Sequence, residues 1–262
     1  MTWIVGTTSL FGHSILAADV CVTFTMPNGQ RTYLDCLQKI HPLGRFLVGG
    51  FAGSVRIGFA VIDALCKIFN EIPQTNAIDL ESMAPVALPQ IVREIFEASL
   101  PSEQVLGCQI IIGWVHPIRN LDKGLPQPCP VSYVYTLGSP DFQVIQNRPL
   151  DIMAIGSGAA MEQHMRNARN LFSAGPVMSW HGGGKKVATI LAAMLGNELE
   201  KRPMPGVSAF FQIGVAARGH GVNIIHHNQG DIHFPVVART YSEFALMCRR
   251  VGMVAEGSVA TS

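Results

Sequence analysis

The chain has 262 residues, 48% hydrophobic and only 14% charged, with a formal net charge of +1. Globular chains carry about 25% charged residues, so this one is charge-poor, and its near-neutrality excludes the basic surface that nucleic acid selects. The longest nearly unbroken apolar run, 105–115 and interrupted by Gln109, falls short of the roughly 20 residues that a bilayer crossing takes, which excludes a membrane helix. No basic stretch precedes an apolar one near Met1, so no secretion signal is expected and a cytoplasmic location is. The six cysteines at 21, 36, 66, 108, 129 and 248 form no CxxC pair and read as reduced thiols. An apolar excess without a membrane span points to burial against other copies of the chain.

In chain order, Thr2–Gly6 and Ser14–Ala18 are β-prone and apolar, with Ser9-Leu10-Phe11-Gly12-His13 as the turn between them. Folded about residues 10 and 11, this hairpin sets position 2 opposite Asp19. Val20–Phe24 runs on to a turn at Pro27-Asn28-Gly29, and Arg31–Ile40 returns with Lys39 near its end. His41–Gly44 turns again, and Arg45–Phe51 is the next strand. Three turns therefore bring Thr2, Asp19, Lys39 and Gly53 to one end of one sheet. Ser54–Glu71 is helical, with an apolar face of Val55, Phe59, Val61, Ile62, Leu65 and Ile68-Phe69.

A second helical stretch, Asp79–Leu100, is broken by Pro85 and is cleaner from Pro89, a residue the first turn tolerates. Strands are expected at 106–115, 131–137 and 142–146, with a polar Pro- and Gly-rich loop over 117–130. Strand 152–155 leads to helix 159–171, and Ser173-Ala174-Gly175-Pro176 breaks the chain before helix 185–201. Strands at 208–216, 222–226 and 234–237, helix 241–251 and a frayed tail over 255–262 complete the list. This order suits an α+β fold, a four-layer αββα sandwich of two mostly antiparallel sheets, with 1–262 as one domain.

Chemistry begins at Met1-Thr2. Trimmed to Thr2, the chain would carry a hydroxyl nucleophile and a free α-amine on one residue, so the amine can take the hydroxyl's proton. Many chains begin Met-Thr, and the pair means little alone. Asp19, Lys39 and Ala52-Gly53-Ser54, each at the end of an apolar strand, raise its weight. Each also has a plainer use: an ion pair at a sheet edge, or a glycine where strand turns into helix.

Ile15-Leu16-Ala17-Ala18-Asp19, Gln38-Lys39-Ile40 and Gly50-Phe51-Ala52-Gly53 resemble the N-terminal half of proteasome β subunits, most of all the bacterial HslV peptidase. Asp151-Ile152-Met153-Ala154-Ile155-Gly156-Ser157-Gly158-Ala159 is similar to the strand-turn-helix entry of the same family. The resemblance spans about half the chain. It implies an N-terminal nucleophile (Ntn) hydrolase, a threonine endopeptidase in a closed homo-oligomeric double ring. Its substrates would be peptides or unfolded proteins, its partner an AAA+ unfoldase, and it would use no cofactor, metal, nucleic acid or membrane.

The resemblance also implies roles. Thr2 attacks the carbonyl, Lys39 favours the ionised hydroxyl, and Asp19 orients Lys39. The Gly53 N–H meets the oxyanion. Ser157 bonds the amine or a water, and would otherwise be a helix N-cap. Val22, Leu37, His41, Phe51 and Val55 line a pocket for a medium apolar side chain, with the titratable His41 its unusual member. The alternatives are an inactive ring-forming scaffold and a non-proteolytic amidase.

The chain departs from that family's pattern in several places. A late D-x-x-S-G turn is expected at Ala217-Arg218-Gly219-His220-Gly221, which has no carboxylate. Trp3 is bulky for its position, and Arg56 follows the glycine turn where small or acidic residues are usual. Gly156-Ser157-Gly158-Ala159-Ala160 touches a dinucleotide fingerprint without its third glycine, and Gly182-Gly183-Gly184-Lys185-Lys186 lacks phosphate-loop spacing. His226, His227, Asp231 and His233 suggest a metal site, but adjacent strand residues point to opposite faces.

Overall fold

The computed structural model describes residues 2–9, 11–25, 29–71, 80–121, 129–147, 151–163, 165–166, 169, 183–228 and 232–253. Apolar β-prone runs become β1 (Trp3–Thr8), β2 (Ser14–Asp19), β3 (Cys21–Thr25), β4 (Arg31–Asp35), β5 (Ile40–Gly44) and β6 (Leu47–Gly53). The helices α1 (Val55–Glu71), α2 (Leu80–Met83), α3 (Ala87–Glu97) and α4 (Pro101–Gln104) follow. Next come β7 (Cys108–Asn120), β8 (Pro130–Gly138), β9 (Ile145–Gln146), β10 (Met153–Gly156) and a 3-10 turn, Ser157–Ala160. The chain continues with α5 (Gly183–Lys201), β11 (Phe211–Ala217), β12 (Gly221–His227) and α6 (Tyr241–Arg250).

The expected sandwich of two sheets is corrected. The strands form three antiparallel sheets: five strands in the order β10-β1-β2-β11-β12, five in the order β5-β6-β7-β8-β9, and a separate β3-β4 ribbon. The ribbon splits off because the chain leaves the extended conformation after Asp35. The N–H groups of Cys36 and Leu37 both turn onto the Val20 carbonyl, at 3.1 Å each, and Leu37 then bridges Ala238. Helices are few. Among the described residues, α5 covers the first large sheet, with Ala188, Leu191, Ala192 and Leu195 on Ile15, Ala17, Phe211 and Ile213. On the second large sheet, α1 and α3 bury Phe59, Leu65, Leu88 and Val92 against Phe51 and Ile110. The described residues do not complete a four-layer arrangement. Ile4, Leu16, Ala18, Ile40, Val48, Ile111 and Val134 form the apolar layer between the two large sheets.

The first hairpin turns one residue later than expected. Thr8 pairs with Ser14 and Ile4 with Ala18, so Asp19 lies level with Trp3 rather than Thr2. The turn is longer because the Ser9 N–H closes onto the His13 carbonyl, and Gly12 takes a positive φ of 72° that suits glycine. Residues 41–44 are strand, not turn. Pro42 is accepted because β5 is a sheet edge and its register shifts between Pro42 and Gly44.

β7 runs on through Pro117 to Asn120, while 234–237 is not strand. Pro85 separates α2 from α3, as its missing N–H requires. The entry to helix 159–171 is instead the 3-10 turn. Much of the rest of that helix, the 173–176 break, most of the 117–130 loop and the 255–262 tail lie outside the described residues.

Candidate active site

Thr2 stands just ahead of β1, beside the end of β10. Its backbone N donates to Ser157 Oγ at 3.1 Å, and Ser157 Oγ donates back to the Thr2 carbonyl at 3.2 Å. The Gly158 N–H reaches that carbonyl as well, at 3.3 Å. The tight approach depends on glycine: Gly156 has φ of 82°, and a Cβ there would overlap the Thr2 carbonyl. Ser157 opens a 3-10 turn and makes no side-chain cap, so the expectation of a helix N-cap does not describe it.

Asp19 ends β2 with no exposed surface, and Lys39, just ahead of β5, is 1% exposed. Lys39 Nζ lies 3.0 Å from each Asp19 carboxylate oxygen and 2.6 Å from the Cys21 carbonyl. Asp19 also accepts N–H groups from Trp3 at 2.7 Å, Cys21 at 3.0 Å and Ser208 at 3.4 Å. An ion pair this dry persists only when its remaining lone pairs and protons are satisfied, and here they are. It is a buried pair, not one at a sheet edge. Through the Trp3 N–H, Asp19 is coupled to the peptide that follows Thr2.

Gly53 closes β6 with φ of 99°, a left-handed value that turns the strand into α1. A Cβ there would overlap the Gly107 carbonyl, which accepts the Ser54 N–H at 2.9 Å. Ser54 Oγ in turn accepts the Ile57 N–H at 3.3 Å. Gly53 is exposed while Ala52 and Ser54 are buried. Lys39 precedes β5 and Gly53 ends β6 in the second large sheet, whereas Thr2 precedes β1 and Asp19 ends β2 in the first.

Val22, Leu37, Phe51 and Val55 are all buried in one apolar cluster with Phe59. His41 packs among the same rings, 6.0 Å from Phe51 and 5.5 Å from Phe59 between centroids. Its Nε2 bonds the Gln38 carbonyl at 2.9 Å. Burial pushes the His41 pKa down to about 4, against a weaker upward pull from that carbonyl, so the ring is neutral at pH 7. The five residues expected to line a pocket lie together, and His41 has the environment of a core histidine.

Other groups near the pair are thiols and a second carboxylate. Cys21 is pushed up to about 12, first by burial and then by the Asp19 charge. It is a thiol at neutral pH and a poor nucleophile. Asp35 is raised above the usual carboxylate range, chiefly by burial, and a hydrogen bond from Ser208 opposes the rise.

One expectation fails in this region. The 217–221 turn joins β11 to β12 at the end of β11 away from Asp19, because the residue level with Asp19 is Phe211. The segment that reaches Asp19 is the approach to β11, through Ser208. Ser208 carried no signal in the sequence beyond following Pro205-Gly206. His226 and His227 stand on β12, where His226 stacks on Phe234 at 4.1 Å, and Asp231 lies outside the described residues. Among the described residues, no group of three or more His, Cys, Asp or Glu is arranged to hold a metal ion. Among them, too, no helix is long and apolar enough to cross a membrane.

No family model and no curated protein matches the sequence. Among solved structures, the chain is similar to Anbu (ancestral beta-subunit) from Yersinia bercovieri. The TM-score is 0.56 at 14% identity, over 95% of this chain and 93% of that one. Likeness at that identity is a likeness of fold. The assignment to the proteasome β and HslV family is corrected accordingly. Its motifs are short strand ends such as Ile15–Asp19 and Gly50–Gly53, and buried strands running into turns favour those residue types whatever their family.

Proposed function

We propose that this protein is a threonine-type endopeptidase whose nucleophile is Thr2 once the chain has been trimmed to that residue. The observation that carries the proposal is the coupling of Thr2 to a buried charged pair. Its own nitrogen sits 3.1 Å from Ser157 Oγ, and the next N–H is held at 2.7 Å by the carboxylate that grips Lys39. In the untrimmed chain that nitrogen is an amide donor. Trimmed, it is an amine that can take a proton.

Thr2 Oγ attacks the scissile carbonyl while its proton passes to the α-amine. The Lys39 ammonium favours negative charge on the attacking oxygen, and Asp19 holds that ammonium in place. The Gly53 N–H, at the end of β6, faces the developing oxyanion. The peptide C–N bond breaks, the leaving nitrogen takes the proton, and an ester to Thr2 remains. Water then attacks the ester carbonyl as it gives a proton to the now neutral α-amine, and Thr2 Oγ leaves as it takes that proton from the amine.

The solved neighbour is described as a β-subunit. We extend to this chain assembly into a closed ring of copies, with peptides or unfolded protein as substrates. The low charge content and the exposed Val86, Val105 and Val236 favour burial against further subunits.

Intact mass with and without a peptide epoxyketone, which needs both the hydroxyl and the free amine, tests the reading. Loss of Met1 and one adduct per chain, absent in Thr2→Ala, is expected. Retained Met1 with no adduct refutes the enzyme and leaves a ring-forming scaffold. A trimmed chain with no adduct and no peptide cleavage, but with amide-hydrolysing activity, identifies an amidase.

A further inference from the structure

Each of two glutamines interrupts an apolar strand on the face between the large sheets. On β7, Ile111 and Val115 belong to the inter-sheet layer. Gln109 shares their parity and therefore their face, yet it is exposed. The space between the sheets thus opens to solvent at this end of β7, beside Ala52 and Gly53, whose strand pairs there. On β11, Gly214 and Ala216 face the same layer, and Gln212 shares their parity with no exposed surface.

The two side chains cross the gap in opposite directions. Gln109, from the second sheet, accepts the Gly156 N–H of the first at 2.7 Å through its Oε1. Gln212, from the first sheet, accepts the Lys39 N–H ahead of β5 at 3.0 Å through its Oε1. The first bond pins the residue next to Ser157, and the second pins the backbone of Lys39. The amide orientation of Gln212 is settled by chemistry, because only its oxygen can accept an N–H. Its Nε2 is then buried with no hydrogen-bond partner among the described residues, a state that costs free energy. A methionine or leucine would fill the same volume without that cost. The side chain is therefore explained by the bond its oxygen makes.

We infer that Gln109 and Gln212 are positioning residues for the Thr2 site, a reciprocal pair of cross-sheet bridges that sets Ser157 and Lys39 at their working separation across Thr2. This rests on the hydrolase reading above. The groups of that site come from both sheets, and the layer between the sheets is apolar and resists sliding weakly because its contacts are non-directional. The other directional bonds across it include the Lys39–Asp19 pair, Ser14 Oγ to the Tyr133 carbonyl and Arg218 to the His116 carbonyl. Of these, only the Lys39–Asp19 pair lies at the Thr2 site, and the two glutamine bonds add to it direct holds on the backbone beside Ser157 and on that of Lys39.

The test compares Gln109→Leu, Gln109→Glu and Gln212→Met with wild type in the rate of epoxyketone adduct formation across pH, with melting temperature and hydrogen exchange measured alongside. Gln109→Leu and Gln212→Met should each react about tenfold more slowly with the rate–pH limb displaced, since small misplacements of reacting groups are costly. Gln109→Glu keeps the acceptor oxygen at an exposed position and should react within about twofold of wild type. Exchange should quicken at Gly156 in Gln109→Leu and at Lys39 in Gln212→Met. Unchanged rates and pH limbs in both truncations overturn the inference, as does a Gln109→Glu as slow as Gln109→Leu. If Gln212→Met does not fold, the two Gln109 variants decide. Wild type that forms no adduct removes the hydrolase reading and this role together, and exchange then shows only whether the bridges form.

Discussion

Asp19→Asn should destabilise the protein more than Lys39→Met, although each breaks the same ion pair. The Asp19 carboxylate accepts three backbone N–H groups, from Trp3, Cys21 and Ser208, besides both contacts to Lys39 Nζ. Asparagine offers a single acceptor oxygen and turns an NH2 toward those donors. It also leaves the Lys39 ammonium, 1% exposed, with the Cys21 carbonyl and no carboxylate. Removing one partner from a buried pair costs about 3–5 kcal/mol. Lys39→Met instead inserts an apolar chain of similar length and leaves Asp19 its three N–H donors. The loss is then near that of one charge-assisted hydrogen bond, about 1.5–3 kcal/mol.

Urea unfolding at pH 7 measures both losses. Protein concentration must be held fixed, since subunit assembly makes the midpoint depend on it. The double variant should lose less than the sum of the singles, because Lys39→Met removes the stranded ammonium that makes Asp19→Asn costly. A Lys39→Met loss equal to or above that of Asp19→Asn would show that the backbone donors do not hold the carboxylate, and would refute the reasoning.

Gly53→Ala places a Cβ at φ of 99° against the Gly107 carbonyl. It should cost about 2 kcal/mol or more and lower the melting temperature, whereas an unchanged melting curve would contradict the turn geometry. Ser157→Ala removes both side-chain bonds to Thr2. About 1 kcal/mol of stability should go with them, and adduct formation should slow by about tenfold or more, read in the same mass assay as Thr2→Ala. His41 has a folded pKa of about 4 against 6.5 unfolded, so on acidification the unfolded chain takes the proton first. Its contribution is intact above pH 6.5 and is lost as pH falls toward 4, by up to about 3 kcal/mol. Urea midpoints across that window should therefore fall more steeply for wild type than for His41→Phe.

The sequence alone determined what depends on neighbours along the chain. Alternation and apolar runs located β1, β2, β6 and β7, and the spacing of Val55, Phe59, Ile62, Leu65 and Phe69 located α1. Turn residues marked where Asp19, Lys39 and Gly53 would end up near strand ends. Strand pairing was a different matter. One extra residue in the 9–13 turn moved Asp19 from Thr2 to Trp3, because turn closure depends on hydrogen bonds that composition does not specify. Pro42 read as a turn residue because nothing local says that β5 lies at an edge.

Tertiary structure alone decided the assembly of the site. Thr2 and Asp19 flank strands of one sheet, Lys39 and Gly53 strands of another, although consecutive hairpins suggested a single sheet. It also decided that the approach to β11, and not the 217–221 turn, reaches Asp19, and that His41 is a neutral core ring. Gln109 was visible as a break in an apolar run, but its partner Gly156 lies 47 residues away, and Gln212 lies 173 residues from Lys39. Such bonds exist only once two sheets face each other. Hydrophobic pattern records which face of a strand is buried and carries no information on which strand comes to lie across from it.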